Sequence, residues 1–551
     1  MSSDDADDPA AVSGNGAGAS NGSKDAPTTA TKAGTETVTK TGVEAKAHHH
    51  RHGKAPAAGK DRTRLAKAAR WFDARVGGAR IGRGALQKIF PNHWSFLLGE
   101  VALYSFLVLV LTGIYLSLFF DANTDVTTYS GSYAPLQGQQ MSNAYASSIG
   151  LSFDVKGGLL IRQIHHWAAL IFLGAIVVHL LRVFFTGAFR RPREINWTIG
   201  VTLFTLALMN GFAGYSLLDD QLSGTGLRIG YSVLISVPFV GPWLASLIFG
   251  GNFPGTDIIP RLFVIHILIV PVALLMLITF HLAILIKHKH AHFPGHGARD
   301  DNVVGERLWP TYTFKAAGLF FMVAAVQGLL GGVAQINPIW LYGPFKAENV
   351  SSASQPDWYM GWLEGALRLM PNWETRIGWF TIPNQFYSGV VVGGIAFGSM
   401  YAWPWIEKRI TKDRSEHHVL DRPRDVPWRT AVGVFAIAFY TVLGFAGSDD
   451  VLAVAFGISV NFLVWAFRIG LFVVPTIAAL VTYKLCLELQ KRDGPFIDPV
   501  LEAEDAAAGD GGADGRGGKD EGGGGGDDGD DGGPEIDPSS ATPGDLEPAT
   551  S

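Results

Sequence analysis

Eight apolar runs dominate this 551-residue chain, at about 96–120, 164–186, 198–218, 260–286, 314–336, 387–406, 429–448 and 458–487. Each is near the ~20 residues a helix needs to cross a hydrocarbon core of about 30 Å. In lipid every backbone N–H and C=O must find a partner within the structure, so runs of this kind fold as spanning helices. The expected fold class is an all-α integral membrane protein with eight transmembrane helices. Lysine and arginine crowd alternate loops: "FRRPRE" after the second run, "KHKH" after the fourth, "EKRITKDR" and "DRPRDVPWR" after the sixth. The loops after the first, third and seventh runs carry few. Positive loops stay cytoplasmic, so both termini are expected inside and the even-numbered spans run inward.

The flanks differ sharply in composition. Residues 1–60 are rich in Ala, Gly, Ser, Thr, Asp and Lys and offer no apolar segment to bury, and 491–551 form an acidic Gly/Asp-rich stretch. Both read as disordered tails. Residues 61–95 alternate basic and apolar positions, as an amphipathic segment on an anionic membrane surface does. The expected organisation is thus a tail, an interfacial segment, four spans over 96–300, four more over 301–490, and a second tail. No cleavable signal peptide is expected, because the N-terminus has no apolar h-region. With Cys486 as its single cysteine the chain can build no internal disulfide, c-type haem attachment or thiolate-held iron–sulfur cluster. Any such redox centre must sit on another polypeptide. No nucleic-acid partner is expected.

Two spans carry histidines near both ends, "RQIHHWAALIFLGAIVVHLLR" and "RLFVIHILIVPVALLMLITFHLAILIK". At about 100° per residue, the 14 steps from His165 to His179 leave them ~40° apart around the helix, and the 15 steps from His266 to His281 leave ~60°. Each helix therefore shows two imidazoles on one face, roughly 21–23 Å apart along the axis. The two spans are parallel by topology. His165 is thus level with His266 near the outside, and His179 with His281 near the cytoplasm. A lone histidine on an apolar face is more often a hydrogen-bonded core residue than a ligand. Four in matched pairs reverse that judgement and suit axial ligation of two low-spin b-type haems. His166 falls ~140° from His179 and is excluded as a ligand.

The other two spans of this half repeat the period. Gly99 and Gly113 are 14 apart, as are Gly200 and Gly214. With no side chain, such positions let a flat macrocycle approach the backbone. Arg162 and Arg182 sit at the two ends of the second span, placed to pair with haem propionates or to anchor the helix at the interfaces.

Together with "HLLR", "NWTIG", "GYSLLDDQLSGTG", "FPGTDIIPRLFVIH" and "SQPDWYMGWLEG", these features resemble cytochrome b of the quinol–cytochrome c reductase (bc1) complex over about 90–490. "IHHWAA", "GAFRRPRE", "DDQLSGTGLR" and "RPRDVP" are most similar to its actinobacterial branch, which uses menaquinol and joins its complex to an aa3-type oxidase. The resemblance implies two non-covalent b-type haems, a quinol-oxidising site outside and a quinone-reducing site inside. It implies a Rieske iron–sulfur subunit and a c-type cytochrome subunit as partners, a dimer, and a bacterial plasma membrane. One quinol electron would pass to the Rieske protein, the other through the haems to the inner quinone, with proton translocation.

At the outer site the resemblance puts Asp357 where the family has glutamate, one methylene shorter, so a water relay or a shared role with Glu364 is expected. Tyr359 and Tyr215 match the family's tyrosines there. The family's L-P-W-G-Q element appears as "LLDDQ", with Asp219 and Asp220 replacing Trp and Gly. On the inner side "TFKAAG" matches T-x-K-D, giving Lys315 but Ala316 where a proton-donating Asp is expected; Lys287, His288 or a water chain would substitute. Two other readings compete. A metal-ion transporter would line a path with histidines and collect metal on the "HHHRH" at 48–52, but such folds carry acidic residues at mid-membrane. A diheme membrane anchor of a dehydrogenase or hydrogenase would lack the last four spans.

Overall fold

The computed structural model describes residues 64–76, 84, 86–349 and 355–494. Both expected tails, including the histidine run at 48–52, lie outside the described residues apart from 491–494. The chain divides into two units, the first ending at Arg75. Its described part is the basic helix α1 (Arg64–Val76), where the Arg75 guanidinium stacks 4.0 Å over the exposed Trp71 ring.

Eight helices of the second unit are long and apolar enough to cross a membrane. They are α2 (Trp94–Ser117), α4 (Gly158–Phe185), α5 (Glu194–Ser216), α8 (Ile258–His288), α9 (Leu308–Val333), α11 (Phe386–Thr411), α12 (Pro427–Ala446) and α14 (Val460–Asp493). The expected eight spans are therefore present. Seven of the eight helices begin one to six residues earlier than the apolar runs, because turns such as "GLLIRQ" extend the helix beyond the run, and α14 begins two residues later. Short helices connect them: α3 (Asn143–Phe153), α6 (Gln221–Ile235), α7 (Gly241–Phe249), α10 (Gly361–Leu369) and α13 (Asp449–Phe456). Strand content is slight. Antiparallel pairs join β1 (Ile89–Phe90) to β4 (Glu306–Arg307), β2 (Val126–Thr128) to β3 (Gln140–Ser142), and β5 (Thr375–Ile377) to β6 (Phe380–Ile382).

The first four spans share one core, built by Ala102 and Phe106 of α2, Phe172, Leu173 and Ile176 of α4, Trp197, Val201 and Leu208 of α5, and Val270 and Leu274 of α8. Large outward side chains such as Leu111, Phe280 and Phe472 stay exposed, as helices bathed in lipid tails require. The later spans are fastened to this bundle by polar side chains that meet backbone. Gln163 bonds Ile336 in both directions, at 2.8 and 2.9 Å, and Trp167 donates to Ala334 O at 2.7 Å. Trp197 of α5 donates to Met400 O of α11 at 2.7 Å. Buried Arg429 of α12 grips Glu407 of α11 at 2.7 and 3.0 Å and Asp421 at 2.8 Å.

α8 departs from regular geometry where it matters. Residues Ile265–Ile269 form a π-helical turn that contains His266. Such a turn absorbs one extra residue, so the 15 steps from His266 to His281 rotate more like 14, close to the ~40° of the other pair. The ~60° expected for a regular helix is corrected accordingly.

Candidate functional site

At one end of the bundle His165 of α4 faces His266 of α8, ring centroids 6.1 Å apart and planes at 73°. A metal bound between two imidazoles at about 2 Å each separates their centroids by about 6 Å. Tautomers follow from the partners. Thr112 Oγ1 donates to Val108 O at 2.7 Å and so accepts from His165 Nδ1 at 2.9 Å. His266 Nδ1 lies 2.9 Å from Asn210 O, which only accepts. Both Nδ1 atoms therefore carry hydrogen, leaving Nε2 of each ring as the metal-binding nitrogen. A cavity of about 440 Å³ is lined by these two rings together with Gly113, Gly214 and Arg162.

The four glycines meet the four histidines one to one. An added Cβ would stand 3.3 Å from His179 at Gly99, 3.3 Å from His165 at Gly113 and 3.7 Å from His281 at Gly200, and would overlap the His266 ring at Gly214. Each glycine thus faces an imidazole edge. The pairings also sort the residues into two levels, with His179, His281, Gly99 and Gly200 at the far one. There the Nδ1 atoms of His179 and His281 are buried without a hydrogen-bond partner.

Two cationic side chains have donors to spare. Arg162 is buried, gives both terminal nitrogens to Asn337 O at 3.3 Å, and leaves Nε without a partner. Arg182 leaves Nε and Nη2 buried and unpaired, its guanidinium 4.0 Å over Phe96. Unsatisfied buried guanidinium atoms fit an anionic group such as a haem carboxylate. Among the described residues no group of three or more His, Cys, Asp and Glu could hold a metal ion. Two protein ligands suffice where the metal brings its own equatorial ligands, and a porphyrin does. The residues of the His165–His266 level fit a haem.

A second cavity, about 230 Å³ and almost wholly apolar, adjoins the first. It is lined by Phe212, Leu222 and Leu363, with Gln355 and Glu364 as further polar members. Tyr215, Asp357 and Tyr359 line both cavities. Tyr359 donates to Asp357 Oδ2 at 3.0 Å, and an added Cβ at Gly211 would come within 2.7 Å of the Tyr359 hydroxyl. Glu364, in α10, is buried, and its Oε1 accepts from Arg368 Nε at 2.9 Å and also from Nη2. Burial pushes its carboxyl up to about 7; Arg368 opposes the shift, while Asp450 and Asp449 add to it.

His166, set aside as a ligand, is the residue the sequence reading missed. Its Nε2 lies 2.9 and 3.1 Å from the two Asp357 oxygens, and its ring lines the larger cavity. The ~140° offset that removes it from the ligand face turns it toward this loop. Asp219 and Asp220 also acquire a reason. Asp219 takes a left-handed backbone (φ 51°), accepts from Ser142 Oγ at 2.5 Å, and its carbonyl accepts from Phe345 N at 3.1 Å. Asp220 is fully buried and caps α6 through Leu222 N at 3.0 Å and Ser223 N at 3.4 Å.

At the far end the expected Lys315 has partners of its own. Lys315 pairs with Glu306 at 2.7 Å and Asn92 at 3.3 Å, and no bond among the described residues joins it to Lys287 or His288. His288, in the last turn of α8, has a buried Nδ1 without a partner. A carboxylate the sequence reading passed over lies here: Glu100 of α2 accepts from Tyr104 at 3.2 Å and from Tyr312 of α9. The signal was available, since an ionisable residue inside an apolar run calls for a reason.

Comparison with known proteins matches residues 170–344 to the family model described as cytochrome b(N-terminal)/b6/petB. The cytochrome bc1 complex cytochrome b subunit of Mycobacterium tuberculosis (strain ATCC 25618 / H37Rv) is 50% identical over 439 residues, 80% of each chain. That of Streptomyces coelicolor is 48% identical over 454 residues, 82% of each. That of Corynebacterium diphtheriae is 47% identical, covering 80% of this chain and 81% of its own. Among solved structures, a chain of a hyperthermophilic respiratory Complex III superposes with a TM-score of 0.54 at 20% identity, over 76% of this chain and all of that one.

Proposed function

The chain belongs to the cytochrome b subunits of the cytochrome bc1 complex, an integral membrane subunit of quinol–cytochrome c reductase, and we propose that it oxidises menaquinol in the apolar cavity beside His165 and His266. The observation that carries this reading is the wall of Tyr215, Asp357 and Tyr359 common to both cavities. A quinol head in the smaller cavity then sits within one side chain of the His165–His266 pair.

His165 and His266 would hold one b-type haem, and His179 and His281 the other, with Arg162 and Arg182 on the propionates. When bound, the two haems supply one-electron carriers at two depths of the bilayer. Thr112 and the Asn210 carbonyl hold the outer imidazoles in the ligating tautomer and raise their basicity. The apolar lining of the smaller cavity excludes water and suits an isoprenoid tail. Losing electrons makes quinol hydroxyls strongly acidic, so each needs a base within reach. Glu364 serves as one, through Oε2, because Arg368 occupies Oε1. Asp357 serves as the other, held by His166 and Tyr359, with Tyr215 beside it.

With Cys486 as its lone cysteine, the chain leaves the first electron acceptor to a Rieske iron–sulfur subunit and the next to a c-type cytochrome. An aa3-type oxidase would complete the route, and the complex would be dimeric. The alternating Lys/Arg loops support a position of this cavity on the outer side of a bacterial plasma membrane, with both termini in the cytoplasm. Quinone reduction falls to the inner end, near Lys315, Lys287 and His288. Haem and quinone analysis of the purified complex tests the reading: two protohaems per chain and menaquinol-dependent reduction of a c-type cytochrome are expected. Fewer than two protohaems, or metal uptake without b-type absorption, overturns it.

A further inference from the structure

From Glu364 a chain of polar groups continues through Arg368. Arg368, one turn on in α10, also reaches α13, where Nη1 bonds Asp449 Oδ1 and lies 3.0 Å from Asp450 Oδ1, and Nη2 lies 3.3 Å from Asp450 Oδ2. The same Nη2 bonds Glu364 Oε1. One guanidinium nitrogen therefore bridges the cavity carboxylate and Asp450. Gln355, another lining residue of the cavity, donates to Asp450 Oδ1 at 2.6 Å. Two polar lining residues of the cavity, Glu364 and Gln355, thus lead to one aspartate.

Exposure gives this arrangement a direction. The Glu364 side chain is 9% exposed and the Asp450 side chain 20%. Asp449 is buried at 4%. Charge gives it a driving force. Three carboxylates share a single guanidinium, so the fully ionised cluster carries two uncompensated negative charges in a poorly hydrated place. A proton gained by any member relieves that repulsion. A cluster of this composition sets three neighbouring carboxylates around one guanidinium, which a single ion pair would not do.

We propose that Asp450, held against Glu364 by Arg368, is the exit through which a proton released by quinol leaves the apolar cavity for the outer water. The inference rests on the outer-site reading of Glu364 given above. In the step, the quinol O–H breaks as its electron passes to the partner iron–sulfur protein, and the proton bonds Glu364. It then transfers to Asp450 and from there to solvent, restoring the Glu364 carboxylate for the next turnover. Arg368 and Asp449 are positioning residues. Arg368 keeps the two carboxylates adjacent, and Asp449 supplies the excess charge.

The test is Asp450→Asn in the intact complex, assayed for menaquinol-driven cytochrome c reduction. Turnover is expected to fall about tenfold or more, with KM within about twofold of wild type and both b-type absorptions intact. The solvent deuterium isotope effect on kcat is expected to rise, and Asp450→Glu to restore turnover. Wild-type turnover in Asp450→Asn overturns the proposal. So does a loss that comes with missing haem absorbance and is not restored by glutamate, which assigns Asp450 a purely structural role. Glu364→Gln separates the two readings. If it is slow while Asp450→Asn is not, the exit fails and the outer site stands; if both turn over normally, both fail.

Discussion

His166 Nε2 lies 2.9 Å from Oδ1 and 3.1 Å from Oδ2 of Asp357, a contact made across 191 residues of chain. One imidazole therefore spans both oxygens of the carboxylate, and Tyr359 secures Oδ2 at 3.0 Å from the other side. The side chain is fixed in one orientation on the wall shared by the two cavities. Removing a partner from a part-buried carboxylate costs about 1–3 kcal/mol. His166→Ala should accordingly lower kcat for quinol oxidation about tenfold while both b-type absorptions remain, and His166→Asn should recover part of the rate by donating one bond. Unchanged kcat in the alanine variant would show that Asp357 needs no such fixing.

Glu364 accepts a proton only when ionised, and burial holds its carboxyl at about 7. Quinol oxidation should therefore decline as pH falls through about 7, a limb set by this group above the usual carboxylate range. The measurement is kcat/KM against pH. In Glu364→Gln the residual rate should be lower and the limb near neutrality absent; a variant that keeps the limb would place its origin in another group.

The parts of this protein that sequence reading recovered are those written locally. Eight predominantly apolar runs need only length and composition, and the closeness of each of the four glycines to a histidine follows the helical repeat. The π-helical turn at Ile265–Ile269 was invisible, because it appears in the sequence merely as 15 steps in place of 14. Likewise, helix arithmetic that set His166 apart from the ligand face could not say what lay on the other side. That depended on where a loop 191 residues away would dock. Glu100 was readable as a carboxylate inside an apolar run, yet its partner Tyr312 belongs to a different span.

Gly214 offers a level-specific perturbation, since an added Cβ overlaps the His266 ring, whereas at Gly200 the nearest His281 atom is 3.7 Å away. Gly214→Val should displace His266 and remove the b-type absorption of the outer level, leaving the inner one in place. Reduced-minus-oxidised spectra of the variant complex read this directly. Equal loss of both components would argue that the two levels do not assemble independently.

Asp220 ties stability to pH in a direction opposite to most carboxylates. Burial raises its carboxyl from 3.8 to about 6 against the pull of its hydrogen bonds, and Asp219 beside it is raised to about 6 as well. A raised carboxyl favours the folded state below the unfolded value, and that contribution is lost as pH rises through about 6. Thermal stability of the complex should thus fall between about pH 4 and pH 6 by the share these two groups control. Asp220→Asn keeps an oxygen acceptor for Leu222 N and Ser223 N without the charge, so its dependence on pH over that window should be shallower than wild type. Asp220→Ala should instead lose about 1–2 kcal/mol at every pH, because the α6 cap goes with the side chain. A pH series of Tm on the three proteins distinguishes these outcomes. Parallel curves for wild type and Asp220→Asn would mean that the buried aspartate is not what titrates.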